Sequence, residues 1–204
     1  MTGDYSVIYC DPPWHYNDRA NGTRFGGGAC RHYPLMKDDE LRAMASFIKS
    51  LSADNCAHFM WATMPRLDFA VELLVSWGFR YTTAAFTWVK MTADNGRPVY
   101  GPGHYTASNA EVVLLGVKGK MKPTEAMLPS VLISPRAEHS RKPEKIREYI
   151  DRMYPNGQRI ELFSRTHAPG WDSWGNHHGV DQIIKAENQH EYKREAHAQV
   201  RLEL

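Results

Sequence analysis

Short apolar segments alternate with amphipathic segments along most of the chain, and this alternation constrains the fold more than any other feature. The strand-like segments cover residues 5–10, 56–62, 80–89, 110–117, 131–134 and 159–164. The helix-like segments cover residues 37–51, 66–77 and 143–153, with a last helix from about residue 180. Such alternation is typical of an α/β fold with a mostly parallel sheet. Because ligands bind beyond the carboxyl ends of the strands in such sheets, we expect functional residues directly after strands.

The sharpest local signal is Asp11-Pro12-Pro13-Trp14, which directly follows the first predicted strand. Asp and Pro are common in turns, so an isolated tetrapeptide of this kind has an ordinary structural explanation. Its place at the end of a strand in an α/β chain favours a functional role.

Further motifs follow in an order that resembles the DPPW-type N6-adenine methyltransferases, the family that includes the catalytic subunit of the eukaryotic mRNA adenosine methyltransferase. They are Tyr33-Pro-Leu-Met36, Phe59-Met-Trp-Ala-Thr63, Trp77-Gly-Phe79, Trp88-Val-Lys90, residues 111–116, His139-Ser-Arg-Lys-Pro143, Glu161-Leu-Phe-Ser-Arg165 and Gly170-Trp-Asp-Ser-Trp-Gly-Asn176. The resemblance runs from residue 7 to about residue 179. It implies a Rossmann-like S-adenosylmethionine-dependent methyltransferase sheet in permuted order, with the catalytic motif first and the cofactor strand near the end.

The resemblance also implies separate residues for the target base and for the cofactor. Those implied for catalysis are Asp11, Pro12, Pro13 and Trp14, and those implied for the adenine pocket are Tyr33 and Glu111. Those implied for binding S-adenosylmethionine are Cys10, Asp11, Lys142, Glu161, Arg165, His167, Asn176 and His177. Among these, Lys142 is expected at the methionine carboxylate, and Glu161 at the ribose hydroxyls.

The chemistry of adenine explains why a carboxylate and rigid carbonyls would be needed. The N6 lone pair is delocalised into the ring, so the amine is a poor nucleophile. A carboxylate and a backbone carbonyl that accept the two N6–H groups can draw the amine towards tetrahedral geometry. We therefore expect Asp11 and the Pro12 and Pro13 carbonyls to orient the amine, and Trp14 to stack on a base taken out of its helix.

Length and composition indicate a single soluble domain. The chain has 204 residues, 42% of them hydrophobic, and no apolar run of membrane-spanning length. Its first residues do not resemble a signal peptide, so we predict a cytoplasmic protein without membrane association. We assign residues 1–180 to the methyltransferase domain and 181–204 to a charged C-terminal helix or tail.

The cysteines and histidines show no metal-ligand spacing, so we predict no metal site. The three cysteines are far apart, and adjacent His177 and His178 form no HxxxH pattern. The net charge is only +2, so a nucleic acid would have to be held by local basic patches. Candidate patches are Lys118, Lys120 and Lys122, and Arg136, Arg141 and Lys142.

We predict an S-adenosylmethionine-dependent N6-adenine methyltransferase that acts on nucleic acid, with DNA favoured over RNA. Three alternatives stay open: an RNA N6-adenosine methyltransferase, a catalytically silent nucleic-acid-binding subunit, and an enzyme that methylates cytosine or a small-molecule amine. Intact Asp11 and Trp14 argue against the silent subunit. A homodimer or a partner subunit is also left open.

Overall fold

The computed structural model describes residues 3–16, 35–94, 96–101, 105–136, 141–164, 166–175 and 183. Within these ranges the strands are β1 (Tyr5–Cys10), β2 (Ser52–Thr63), β3 (Arg80–Met91), β4 (Ala110–Lys118), β5 (Val131–Pro135), β6 (Arg159–Leu162) and β7 (Asp172–Trp174). The α-helices are α1 (Asp38–Ala43), α2 (Ala45–Leu51), α3 (Leu67–Ser76) and α4 (Glu144–Met153). A short 3₁₀ turn, Met64–Arg66, joins β2 to α3.

The seven strands form one sheet in the order β5-β3-β4-β2-β1-β6-β7. Strand β4 is antiparallel to both of its neighbours, β2 and β3. Every other pairing is parallel, so six strands run in one direction. The predicted α/β fold with a mostly parallel sheet is confirmed. Because β4 alone is reversed, its first residues lie at the same edge as the carboxyl ends of the other strands.

Side-chain alternation in the strands divides the core between the two faces of the sheet. In β1, Ile8 and Cys10 belong to one hydrophobic cluster, and Val7 and Tyr9 to the other. The first cluster is completed from α1, α2 and α3 by Leu41, Ile48, Phe69, Leu73 and Leu74. The second is completed from α4 by Ile146, Tyr149 and Ile150. The sheet therefore lies between two helical layers, and α4 covers the face that carries Tyr9.

The predicted helix over residues 37–51 is divided at Met44. Its ψ angle of −6° tightens the turn, and its N–H donates to the carbonyl of Leu41, three residues back. The helical pattern resumes in α2, where the N–H of Ile48 donates to the Met44 carbonyl.

The last two strands differ from the sequence prediction. Strand β6 stops at Leu162, before the predicted end at residue 164, because Phe163 takes a left-handed φ of 57°. Residues 172–174, which lie outside the predicted strands and helices, form β7 and pair in parallel with β6. The predicted last helix lies outside the described residues.

The predicted division into residues 1–180 and 181–204 stays a prediction. Beyond residue 175 the structure describes only Ile183, which packs against the cluster on the α1–α3 face. None of the described helices is long and apolar enough to cross a membrane.

We expect Leu114→Ala to destabilise the protein strongly, because Leu114 is fully buried in β4 within the sheet. Cavity formation should lower the free energy of unfolding by about 2–5 kcal/mol, measured by urea denaturation. Val75→Ala on α3, where the side chain is 57% exposed, is the control and should change stability little. An equally small effect of Leu114→Ala would contradict this placement of β4.

Candidate active site

One edge of the sheet gathers the charged residues that the sequence singles out. Asp11 directly follows β1, and Glu161 lies near the end of β6, the neighbouring parallel strand. Glu111 is the second residue of the reversed strand β4 and pairs with Thr63, the last residue of β2. Lys142 lies just before α4. These side chains thus meet where an α/β sheet binds its ligands.

Lys142 bridges two of the carboxylates. Its Nζ atom lies 3.0 Å from Oδ2 of Asp11 and 2.8 Å from Oε2 of Glu111. Lys90, on β3, also donates to Oε1 of Glu111, so this carboxylate bonds two ammonium groups. The Lys142 side chain is 15% exposed, and its ammonium lies 5.2 Å from the ring centre of Trp61. We call Asp11, Glu111, Lys142 and Lys90 the charge network.

The charge network favours the ionised forms of Lys142 and Glu111. Burial opposes the charge on Lys142, but Asp11 and Glu111 outweigh it and raise the pKa of this ammonium above its ordinary value. Burial likewise opposes the charge on Glu111, yet Lys142 and Lys90 lower the pKa of its carboxyl below 4.5. At neutral pH Lys142 and Glu111 therefore form a charged pair.

The Asp11 motif is fixed by its own backbone and by the segment before α1. The Pro12 carbonyl accepts the N–H of Trp14 at 2.9 Å, and the Pro13 carbonyl accepts the N–H of Met36 at 2.9 Å. An isolated parallel bridge also joins Trp14 to Met36. Each carbonyl oxygen keeps a second lone pair, so it can accept a further hydrogen bond from a ligand.

Trp14, predicted to stack on the base, has its ring buried in this structure. Its side chain is only 4% exposed and packs edge-on against Phe69, with ring centres 6.1 Å apart. The guanidinium of Arg66 lies 5.9 Å from the indole centre. The ring therefore belongs to the hydrophobic core, because the turn after β1 points it towards α3.

Glu161 faces α4 and forms a buried ion pair that the sequence did not indicate. Its Oε2 atom accepts a hydrogen bond from Nη2 of Arg147 at 2.6 Å. Burial raises the pKa of Glu161, while the charge of Arg147 opposes that rise. A carboxylate near the end of β6 is suitably placed for hydroxyl groups of a ligand.

The other described candidates near Glu161 are Cys10 and His167. The Cys10 side chain is fully buried on the opposite face of the sheet, with its sulfur 3.2 Å from Nε2 of His58. Only the Cys10 backbone is therefore available to a ligand at the sheet edge. His167 contacts Ser173 in β7 through Nδ1, at 2.8 Å from its hydroxyl, and Ser173 is the register partner of Glu161.

Four predicted site residues, Tyr33, Arg165, Asn176 and His177, lie outside the described residues. No three His, Cys, Asp or Glu side chains in the described ranges are grouped so that they could hold a metal ion.

Sequence reasoning missed three residues at this edge. Lys90 lies within the quoted Trp88-Val-Lys90 motif but was given no role. Tyr16 bonds Thr63 through its hydroxyl at 2.8 Å, and burial raises the pKa of its phenol. Arg147 lies in α4 between Ile146 and Ile150, at the border of the apolar face of the helix. This position was the sequence signal that could have indicated its burial.

Comparison with known proteins shows one family over most of the chain. The family model described as MT-A70 matches residues 5–177. The type II methyltransferase M.MunI of Mycoplasma sp is 38% identical over 188 residues, which cover 84% of this chain and 76% of that protein. The human N(6)-adenosine-methyltransferase catalytic subunit METTL3 is 29% identical, and the matched region covers 86% of this chain and 28% of the human protein. The N(6)-adenosine-methyltransferase MT-A70-like protein of Arabidopsis thaliana is 29% identical, and the matched region covers 86% of this chain and 24% of that protein. The match thus spans about a quarter of these last two proteins.

We expect Lys142→Met to destabilise the protein most at neutral pH. The variant leaves the buried Glu111 and the partly exposed Asp11 without their shared cation, which should cost about 3–5 kcal/mol. Because the pKa of Glu111 is lowered in the folded state, its contribution to stability is present above pH 4.5 and is lost as the pH falls through the lowered value. The difference in the free energy of unfolding between wild type and variant should therefore become smaller below about pH 4.

Urea denaturation between pH 3 and pH 8 measures this gap. Lys145→Met is the matched control on α4, because Lys145 pairs with Glu148 at the surface and should contribute little. A gap that does not depend on pH would contradict the proposed ionic role of Lys142.

Proposed function

The chain belongs to the MT-A70 family, and from this premise we propose that it transfers a methyl group from S-adenosylmethionine to N6 of adenine in a nucleic acid, with DNA as the favoured substrate. The family match and the relatives' names confirm the predicted class of enzyme, an N6-adenine methyltransferase. DNA is favoured because identity is higher to the type II methyltransferase, 38%, than to the human relative named for adenosine, 29%.

The observation that carries the proposal is the placement of Asp11 in the charge network. Its side chain is 27% exposed, so a ligand can reach it, while Lys142 holds Oδ2 at 3.0 Å. The fixed carbonyls of Pro12 and Pro13 stand beside it. An ionised carboxylate and a carbonyl are acceptors, and the N6 amine offers two donors, so the groups are complementary.

The charged groups at this edge also fit the parts of S-adenosylmethionine that need partners. Lys142 uses two of its three N–H donors on Asp11 and Glu111, which leaves one for the methionine carboxylate. Glu161 is expected to accept hydrogen bonds from the ribose hydroxyls. When bound, the cofactor supplies an electrophilic methyl group on its sulfonium sulfur.

The protein's contribution to the reaction is then orientation and proton acceptance. Asp11 accepts one N6–H and the Pro12 carbonyl the other, so that the nitrogen lone pair is aimed along the line of attack. Lys142 stabilises the Asp11 carboxylate and holds it in place. Methylation would make the remaining N6 proton acidic, and a carboxylate oxygen of Asp11 would accept it. From there it can reach solvent, because Asp11 is partly exposed.

We expect the purified protein to form N6-methyladenine in unmethylated DNA from isotopically labelled S-adenosylmethionine. Duplex DNA, single-stranded DNA and RNA of the same sequence would be compared, with nucleosides identified by mass spectrometry. Asp11→Asn should slow turnover by about 10²–10³-fold, because it removes charge from the acceptor of the amine. Asp54→Asn, an exposed position near the start of β2, is the matched control.

Each result bears on a different part of the proposal. Product in RNA alone would show that the preference for DNA is wrong. Cofactor binding without any methylated base would favour the silent nucleic-acid-binding subunit. Full activity of Asp11→Asn, with intact folding, would contradict the role of Asp11.

A further inference from the structure

Helix α4 places a second buried cation, Arg147, on the carboxylate expected to bind the cofactor. Nη2 of Arg147 lies 2.6 Å from Oε2 of Glu161, and the two side chains are only 12% and 15% exposed. The guanidinium also lies 5.7 Å from the ring centre of Tyr9 and pairs through Nη1 with Glu144. Its Nε has no hydrogen-bond partner in the described part of the chain.

The strand pattern explains why Glu161 needs such a partner. Ile160 and Leu162, on either side of it in β6, point into the core under α1–α3. Glu161 therefore points to the opposite face, where α4 packs on apolar and aromatic side chains, Tyr9 among them. A carboxylate in such surroundings tends to take up a proton unless a cation compensates its charge.

Within the described residues, few charged and titratable groups lie around Glu161. Arg147 and Glu144 face it from α4, and Tyr9 and Asp11 from the β1 side. On the β7 side its register partner is Ser173, which bonds His167. Arg147 is the one cation among these that touches Glu161 in the described structure. Burial raises the pKa of Glu161, and Arg147 provides the largest opposing influence.

We propose that Arg147 is a positioning residue for cofactor binding: it holds Glu161 ionised and fixes one of its oxygens, so that the remaining lone pairs accept the ribose hydroxyls. This inference rests on the proposed function, in which Glu161 contacts the ribose. A guanidinium that donates to Oε2 leaves Oε1 free to accept, and it sets the plane of the carboxylate. A protonated Glu161 would carry an O–H donor of its own, so it would accept hydrogen bonds from the ribose hydroxyls less well than a carboxylate does.

The test uses S-adenosylhomocysteine, the demethylated cofactor, as the binding probe in calorimetry between pH 6 and pH 9. Arg147→Met should weaken binding by about 10- to 100-fold at pH 6, because the neutral side chain no longer supports the ionised carboxylate. The loss should shrink as the pH rises, because a higher pH favours the ionised form of Glu161 even without Arg147. The affinity of Arg147→Lys for S-adenosylhomocysteine should stay closer to that of wild type. The affinity of the wild-type protein should vary less between pH 6 and pH 9 than that of Arg147→Met. Arg152→Met is the matched control, since Arg152 pairs with Glu125 at the surface of the same helix.

A double variant separates a specific effect from a structural one. If Arg147 acts through Glu161, Arg147→Met should weaken binding no further in a Glu161→Gln background. Wild-type affinity and pH dependence in Arg147→Met, with weakened binding in Glu161→Gln, would overturn the inference. Unchanged binding by Glu161→Gln would also overturn it, by removing the role of Glu161. The reaction itself would remain tested by nucleoside analysis.

A second readout needs no cofactor. In the cofactor-free protein, ¹³C NMR of the Glu161 carboxyl should show ionisation at higher pH in Arg147→Met than in wild type or Arg152→Met. Should Arg147→Met fail to fold, Arg147→Gln serves as the uncharged variant for both measurements. If the Glu161 carboxyl ionises at the same pH in wild type and in the uncharged Arg147 variant, the inference is overturned.

Discussion

The rest of the active-site edge depends on the double ion pair of Lys142. It joins the turn after β1 to the start of the reversed strand β4, through Asp11 and Glu111. Two carboxylates this close would repel each other and favour protonation if the cation were absent. With it, both stay ionised in a mostly buried setting, and Lys90 adds a second positive charge to Glu111. The arrangement depends on one antiparallel strand, because only reversal brings the start of β4 to the edge where the other strands end.

Helix α4 connects the two halves of the proposed site. Lys142 just before the helix and Arg147 in its second turn each meet a carboxylate, Asp11 after β1 and Glu161 in β6. Since β1 and β6 are adjacent parallel strands, the carboxylates proposed to bind the amine and the cofactor lie side by side although they are far apart in sequence. The apolar face of α4 against the sheet fixes both cations, so helix packing and site electrostatics are coupled.

Much of the fold was predictable from apolar periodicity, because buried strands of six or more residues leave a clear pattern. Strand β7 has only three residues between Gly170 and Gly175, too few for any period to emerge, and it pairs with the edge of β6. The resemblance singled out Asp11, Glu111, Lys142 and Glu161, and the structure brings them to one edge. The partner of Glu161 could not be predicted, because it depends on which face of α4 packs over β6. The stacking role of Trp14 stays a prediction, and the packing of its ring against Phe69 could not be predicted because the turn after β1 sets the side-chain direction.

The most direct test of this account is a double-mutant cycle on the two carboxylates that share Lys142. The free energy of unfolding would be measured by urea denaturation at pH 7 for wild type, Asp11→Asn, Glu111→Gln and the double variant. Each single change leaves Lys142 one carboxylate, whereas the double change leaves its buried charge with neither. We therefore expect the double variant to lose more stability than the sum of the single losses, by about 1 kcal/mol or more. Losses that add to within about 0.3 kcal/mol would contradict a bridging Lys142.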